Sequence, residues 1–180
     1  MRKMNIFKAL LVVLVLSLCV FISGCRTPKY DVAYINGKLD ATGFTSYVYE
    51  KTIKAGDILL LEEKTNATQQ GDKFLVKTEV SKLSAVEETE KYTKEETEET
   101  VAIAADPITL TITETDFSEV EVTKDSLTGT VKDDVNVLGY AVKGLNIKID
   151  LANEKVANVE ITYVDAETNF VVTVKVQYNY

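Results

Sequence analysis

Apolar and polar residues alternate over most of the second half of the chain, and a period of two predicts strands that bury one face. Residues 145–151 set Leu145, Ile147, Ile149 and Leu151 on one side and Asn146, Lys148 and Asp150 on the other. A turn at Ala152-Asn153-Glu154 follows, after which Val159, Ile161 and Tyr163 alternate with Glu160 and Thr162. Beyond a second turn over 165–169, Val172, Val174, Val176, Tyr178 and Tyr180 alternate with Thr173, Lys175, Gln177 and Asn179. This predicts a three-stranded antiparallel meander. One face is apolar and the other polar, as in a sheet that covers a core or an apolar cavity and meets water behind.

The same period runs upstream with interruptions. Tyr47, Tyr49 and Ile53 share a parity that Lys51 breaks, before a turn near Ala55-Gly56-Asp57. Leu59 and Leu61 share a face in the next run, and Phe74, Val76, Thr78 and Val80 share one after a polar turn over 66–72, so the region reads as a hairpin. Ile108, Leu110 and Ile112, then Val120 and Val122, then Leu127, Gly129 and Val131 each fit one further strand. Residues 133–143 read as a short helix or a crossover, and residues 32–45 as irregular. The run 87–100 holds seven glutamates and two lysines with Tyr92 as its apolar surface. It buries too little to offset the entropy of ordering; its Glu, Lys and Thr composition also permits an exposed helix, but the segment is expected as a mobile acidic loop within 84–106 at the domain's edge.

The expected fold is therefore mainly β: a curved antiparallel sheet of about eight strands, an open half-barrel or sandwich-like, with little helix. The N-terminus carries a different signal. Arg2, Lys3 and Lys8 flank an uncharged apolar stretch over 9–22, the layout of a helical signal peptide that is shorter than the ~20 residues of a membrane-spanning helix. Ile22-Ser23-Gly24-Cys25 follows and resembles the lipobox of bacterial lipoproteins. The resemblance implies cleavage after residue 24 and a diacylglyceryl anchor on Cys25, with palmitate among its chains. Each buried methylene contributes about 0.8 kcal/mol, so two chains hold a domain at the membrane. The expected organisation is a signal peptide over 1–24, a lipidated tether and irregular segment over 25–45, and one mainly-β domain over 46–180. The expected location is the extracytoplasmic face of the cell membrane.

Charge and composition narrow the chemistry. Cleavage would leave 17 basic against 28 acidic residues, a net charge of −11. Such a surface argues against nucleic acid and against electrostatic adhesion to anionic lipid, both of which need Lys or Arg clusters. The chain has no histidine, and Cys25 would be its single mature cysteine, which leaves no disulfide and removes most nucleophile, zinc, copper and haem chemistry. Asp133 with Asp134, and Asp165 with Glu167, sit where turns favour aspartate and lack the spacing of a calcium loop. No catalytic residue, metal ligand or cofactor is expected. Tyr163, Tyr178 and Tyr180 share the parity of the aliphatic residues and read as packing, while Lys148 and Lys175 read as solvated charge.

Residues 145–180, with Asp116-Phe117 and Leu127-Thr128-Gly129-Thr130-Val131-Lys132-Asp133 before them, resemble the end of the LolA/LppX-like small lipoproteins of Gram-positive bacteria. The resemblance is of pattern and implies an open half-barrel whose concave face holds acyl chains beneath helices. Leu59, Leu61, Phe74, Val76, Leu145, Ile147, Ile149, Val159, Ile161, Val172, Val174 and Val176 would then form an apolar-ligand face. In a filled sandwich the same residues are core. Three functions stay open, in this order: a non-catalytic surface lipoprotein with a structural or protein-interaction role, a carrier of lipid or another apolar ligand, and last an enzyme, which would need a buried cluster of carboxylates.

Overall fold

A computed structural model describes residues 30–39, 43–85, 91–139 and 141–180. The leader, Cys25 and the tether up to residue 29 lie outside the described residues. Nine strands form one antiparallel sheet, open and not closed: β1 (Ser46–Ala55), β2 (Ile58–Gln70), β3 (Lys73–Ala85), β4 (Lys91–Val101), β5 (Phe117–Val122), β6 (Ser126–Val131), β7 (Val142–Ala152), β8 (Lys155–Asp165) and β9 (Val171–Asn179). Their order is β4-β3-β2-β1-β9-β8-β7-β6-β5, so the first and last strands meet at the centre. Of the two architectures expected, the open sheet forms.

Tight turns set this meander. Asn153 and Glu154 both have positive φ, 52° and 62°, the two-residue geometry whose twist matches the strands it joins. Gly71 (φ 68°) turns β2 into β3, and the polar turn expected over 66–72 shrinks to Gly71 and Asp72 because β2 continues to Gln70.

Pairing registers define rows that run across the sheet. One row reads Ile149, Val159, Val176, Tyr49, Thr65, Thr78, Thr97, and the next Ile147, Ile161, Val174, Lys51, Glu63, Val80, Glu95. Both lie on the face that carries the core, the inner face hereafter. Over β7, β8 and β9 that face is covered by a short helix α1 (Val32–Asn36), by the long connection from β4 to β5, and by the connection from β6 to β7. Val32 and Ile35 of the helix and Ala104, Leu110 and Ile112 of the first connection are buried there, with Val135, Val137 and Leu138 of the second packed against them.

Four expectations are corrected. Residues 32–36 are helical, because the Asp31 carboxylate accepts the Tyr34 N–H at 2.9 Å and caps the first turn. Residues 91–101 of the acidic run are a strand, not a loop. Glu98 and Glu95 reach Lys77 and Lys82 of β3 at 2.7 and 3.7 Å, so cross-strand pairing supports a segment that has little apolar surface. Residues 108–112 are extended but form no ladder; they cross the inner face, with Leu110 and Ile112 buried and the Ile112 N–H donated to Asn36 Oδ1 at 3.2 Å. Between β6 and β7 the described residues make a turn at 133–134 and bends, neither a helix nor a crossover, since β6 and β7 pair directly as antiparallel neighbours.

Candidate functional site

Lys51 sits at the junction of two environments. It projects from the inner face of β1, opposite Val174 of β9 on one side and Glu63 of β2 on the other. It is half-buried and belongs to no ion pair of the described residues. Beside it lies an open cavity of about 200 Å³ between the sheet and the covering connections, walled by Ile161, Val174, Ile108, Leu110 and Leu138, with Tyr49 and Tyr163 contributing rings. An ammonium beside an apolar wall suits an anionic head with a short apolar tail. The volume is below the roughly 300–1,000 Å³ of pockets for drug-sized ligands.

The twelve residues expected on an apolar face divide. Leu145, Ile147, Ile149, Val159, Ile161, Val172 and Val176 are buried in the core, and Val174, Phe74 and Val76 pack against it. Of these, Ile161 and Val174 line the cavity. Leu59 and Leu61 stand apart: a bulge between Ile53 and Lys54 sets Leu61 opposite Ile53 but Leu59 opposite Lys54, so the shared parity breaks between them.

An aromatic cluster closes one end of the inner face. The Phe44 ring meets Tyr47, Phe74 and Tyr178 at centroid distances of 5.6 to 5.7 Å. The Tyr178 hydroxyl donates a short hydrogen bond to Asp106 Oδ1, which also accepts the Ile108 N–H at 3.1 Å. Asp106 therefore ties the covering connection to the central strand. Burial, then the bond to Asp106, pushes the Tyr178 phenol far above its ordinary value, and burial first also raises Tyr47 and Tyr180. Tyr163 and Tyr178 are core residues as their parity predicts, whereas Tyr180 at the chain end is exposed. Nothing in the sequence pattern marks Asp106 except its place before Pro107, which favours an aspartate-capped turn.

One member of each carboxylate pair accepts backbone hydrogen bonds, Asp165 within a turn and Asp133 across the connection from β6 to β7. Asp165 Oδ1 accepts from the Thr168 N–H and hydroxyl at 2.8 and 2.7 Å and from the Glu167 N–H at 3.1 Å; these bonds hold its carboxyl below the usual range. Asp133 Oδ1 accepts the Gly144 N–H at 2.9 Å. Among the described residues no group of three or more acidic or cysteine side chains is placed to hold a metal ion, and no helix is long and apolar enough to cross a membrane.

The opposite, outer face is a charge ladder. Lys148, Glu160, Lys175, Glu50, Lys64 and Glu79 follow one another across six strands. Lys175 meets Glu160 at 3.0 Å and Lys64 meets Glu50 at 2.9 Å, which places Lys148 and Lys175 among exposed charges, as their parity predicts. A groove of about 330 Å³ runs along this face between charged and amide side chains, including Asp150, Asn158 and Gln177. No family model matches the chain, and neither a curated protein nor a solved structure does.

Proposed function

We propose that the protein is a non-catalytic lipoprotein, anchored through Cys25 to the extracytoplasmic face of the cell membrane, with a surface structural or protein-interaction role. One observation carries the interaction role: β2, β3 and β4 extend the sheet as a wing whose apolar packing thins outward, from buried Ala67 of β2 through Phe74 and Val76 at the rim of the core to a last strand that the covering helix and connections do not bury. β2 and β3 each run 13 residues, and β4 is exposed along nearly its whole length. Ordering a residue's backbone costs about 1–2 kcal/mol, so a long wing that adds little core is a surface kept for contact. The lipobox residues Ile22-Ser23-Gly24-Cys25 support the anchor.

Two measurements test this reading. Radiolabelled palmitate should enter the wild-type chain, produced from its full sequence in a Gram-positive host, and should be lost from Cys25→Ala. Undiminished label in the variant would remove the anchor from the account. Chemical cross-linking of intact membranes should then yield intermolecular cross-links through wing lysines such as Lys64, Lys77 and Lys94. Links confined to Lys143, Lys148 and Lys155 would place the contact on the other half of the sheet.

The cavity beside Lys51 favours a second reading, a carrier of an apolar ligand like the half-barrel proteins that residues 145–180 resemble. Its ligand would be a small anionic amphiphile. Native mass spectrometry of the detergent-released protein should show a bound carboxylate or phosphate amphiphile that Lys51→Glu releases. Protein that flies without added mass in both forms would leave the interaction role alone.

A further inference from the structure

β4 ends the sheet, and an edge strand offers a row of unpaired backbone N–H and C=O groups to any strand that can lie beside it. Two features set this edge apart. It is long, at 11 residues, and its charges are unevenly used within the chain. Glu95 and Glu98 pair with Lys82 and Lys77 of β3, whereas Glu96 stands directly opposite the like-charged Glu79. Neither Glu96 nor Lys94 belongs to an ion pair of the described residues. Like charges directly across a sheet destabilise it, so Glu96 lacks a cation on its open side.

The sequence of the strand supplies that cation from a second copy. We propose that β4 pairs antiparallel with β4 of a second copy about a twofold axis at Glu95, making one continuous sheet of eighteen strands. In this register Lys94 of each copy faces Glu96 of the other, Lys91 faces Glu99, and Thr93 faces Thr97. An axis perpendicular to the sheet keeps inner face with inner face, so the twofold must pass through a residue, and the neighbouring choices can be compared directly. Centring on Lys94 opposes Lys94 to itself and makes no ion pair. Centring on Glu96 keeps the reciprocal Lys94–Glu98 contacts, but Glu98 already has Lys77 and Glu96 meets itself. Centring on Thr97 opposes Glu95 to Glu99 and Glu96 to Glu98. The Glu95 register makes two Lys94–Glu96 contacts between charges that have no ion pair among the described residues, with Lys91 and Glu99 also opposed, against one like-charge contact that lies between the two copies of Lys82, each already beside Glu95.

The pairing stands independently of lipid on Cys25 and of the Lys51 cavity. It predicts a two-dimensional geometry as well: one sheet, with both covered halves at its outer ends and both wings joined in the middle. A twofold perpendicular to the sheet sets the inner faces of both copies on the same side.

Charge exchange and cysteine placement test it on the detergent-extracted full chain. The wild type should sediment as a dimer that dissociates as salt is raised. Lys94→Glu should weaken it roughly tenfold or more, since each substitution breaks two cross-strand contacts and makes two repulsions. Glu96→Lys should do the same, and the double variant Lys94→Glu/Glu96→Lys should restore the dimer. Glu95→Cys should oxidise to a disulfide-linked dimer beyond whatever the native Cys19 and Cys25 produce, because residue 95 faces itself. Thr93→Cys mixed with Thr97→Cys should cross-link, while Thr97→Cys alone should not, its symmetry mate lying four residues, about 13 Å, along the strand. A monomeric wild type at ~100 μM would overturn the proposal. So would a dimer that ignores the charge swap, or an edge that binds a lysine-rich peptide while the chain stays monomeric.

Discussion

The row that begins at Ile149 changes character without leaving the sheet. Ile149, Val159 and Val176 are buried beneath the covering connections, Tyr49 is half-buried at the seam, Thr65 is still buried beyond it, and Thr78 and Thr97 become progressively exposed in the wing. In the covered half, strand order is held by apolar contact. In the wing it is held by ladder hydrogen bonds, the Thr65–Thr78 hydroxyl pair at 2.9 Å and exposed Lys–Glu pairs. The same backbone geometry thus serves two energetics, and the boundary falls on β1, where Lys51 enters an otherwise apolar parity. A sheet therefore need not have a core wherever it has strands.

Substitutions along that row break the comparison if it is wrong. Ile149→Ala, in the fully buried part, should destabilise the protein by about 2–5 kcal/mol in chemical denaturation, the range of large-to-small core changes. A loss under ~1 kcal/mol would mean that the covered half is loosely packed. Gly129→Ala should cost about 1–3 kcal/mol, because the new Cβ would lie 2.6 Å from a ring carbon of the buried Phe117. Phe117→Leu in the same background should recover part of that loss, which identifies the ring as the obstacle.

Tyr178→Phe should cost about 1–2 kcal/mol by removing the bond that ties Asp106 to β9. It also changes the response to alkali. The folded state holds the Tyr178 proton more tightly than the unfolded chain, whose phenol titrates near 10.0, so this contribution is complete below pH ~10 and declines as pH rises above it. The decline is at most about 1.4 kcal/mol per pH unit for this one tyrosine. Denaturation midpoints measured at pH 9 and pH 11 should fall less in the variant than in the wild type; equal falls would detach the phenol from the packing. The smallest effect belongs to the wing. Thr97→Ala, at the exposed end of the row, should change stability by no more than ~0.5 kcal/mol.

Legibility in the sequence followed the same division. The C-terminal meander was readable because Leu145, Ile147 and Ile149, then Val159, Ile161 and Tyr163, alternate without interruption and bury one side. The strand at 91–101 was not, since a two-sided exposed strand has no apolar period; its signal is the spacing of Glu95 and Glu98 against Lys82 and Lys77, visible only with the register known. Ile108, Leu110 and Ile112 alternate as a strand does, and burial of one side produced that alternation in an extended segment that never joins the ladder. Asp31 could have announced α1 as a capping residue, but five residues are too few to show a helical period. At the candidate site, Lys51 was visible as a break in parity, whereas Asp106 was not, because its partner Tyr178 lies far along the chain.

The junction of β1 with β9 bears on how the chain is made. Ser46 lies opposite Asn179 and Lys54 opposite Val171, so the middle of the sheet cannot zip until residues 171–179 have been synthesised, long after β1. Contacts of such long sequence separation slow folding and lengthen the interval in which unpaired strands are open to aggregation or proteolysis. A nonsense codon at Val171, which removes β9, would therefore split the molecule at its centre, leaving two orphaned ribbons with a missing rung between them.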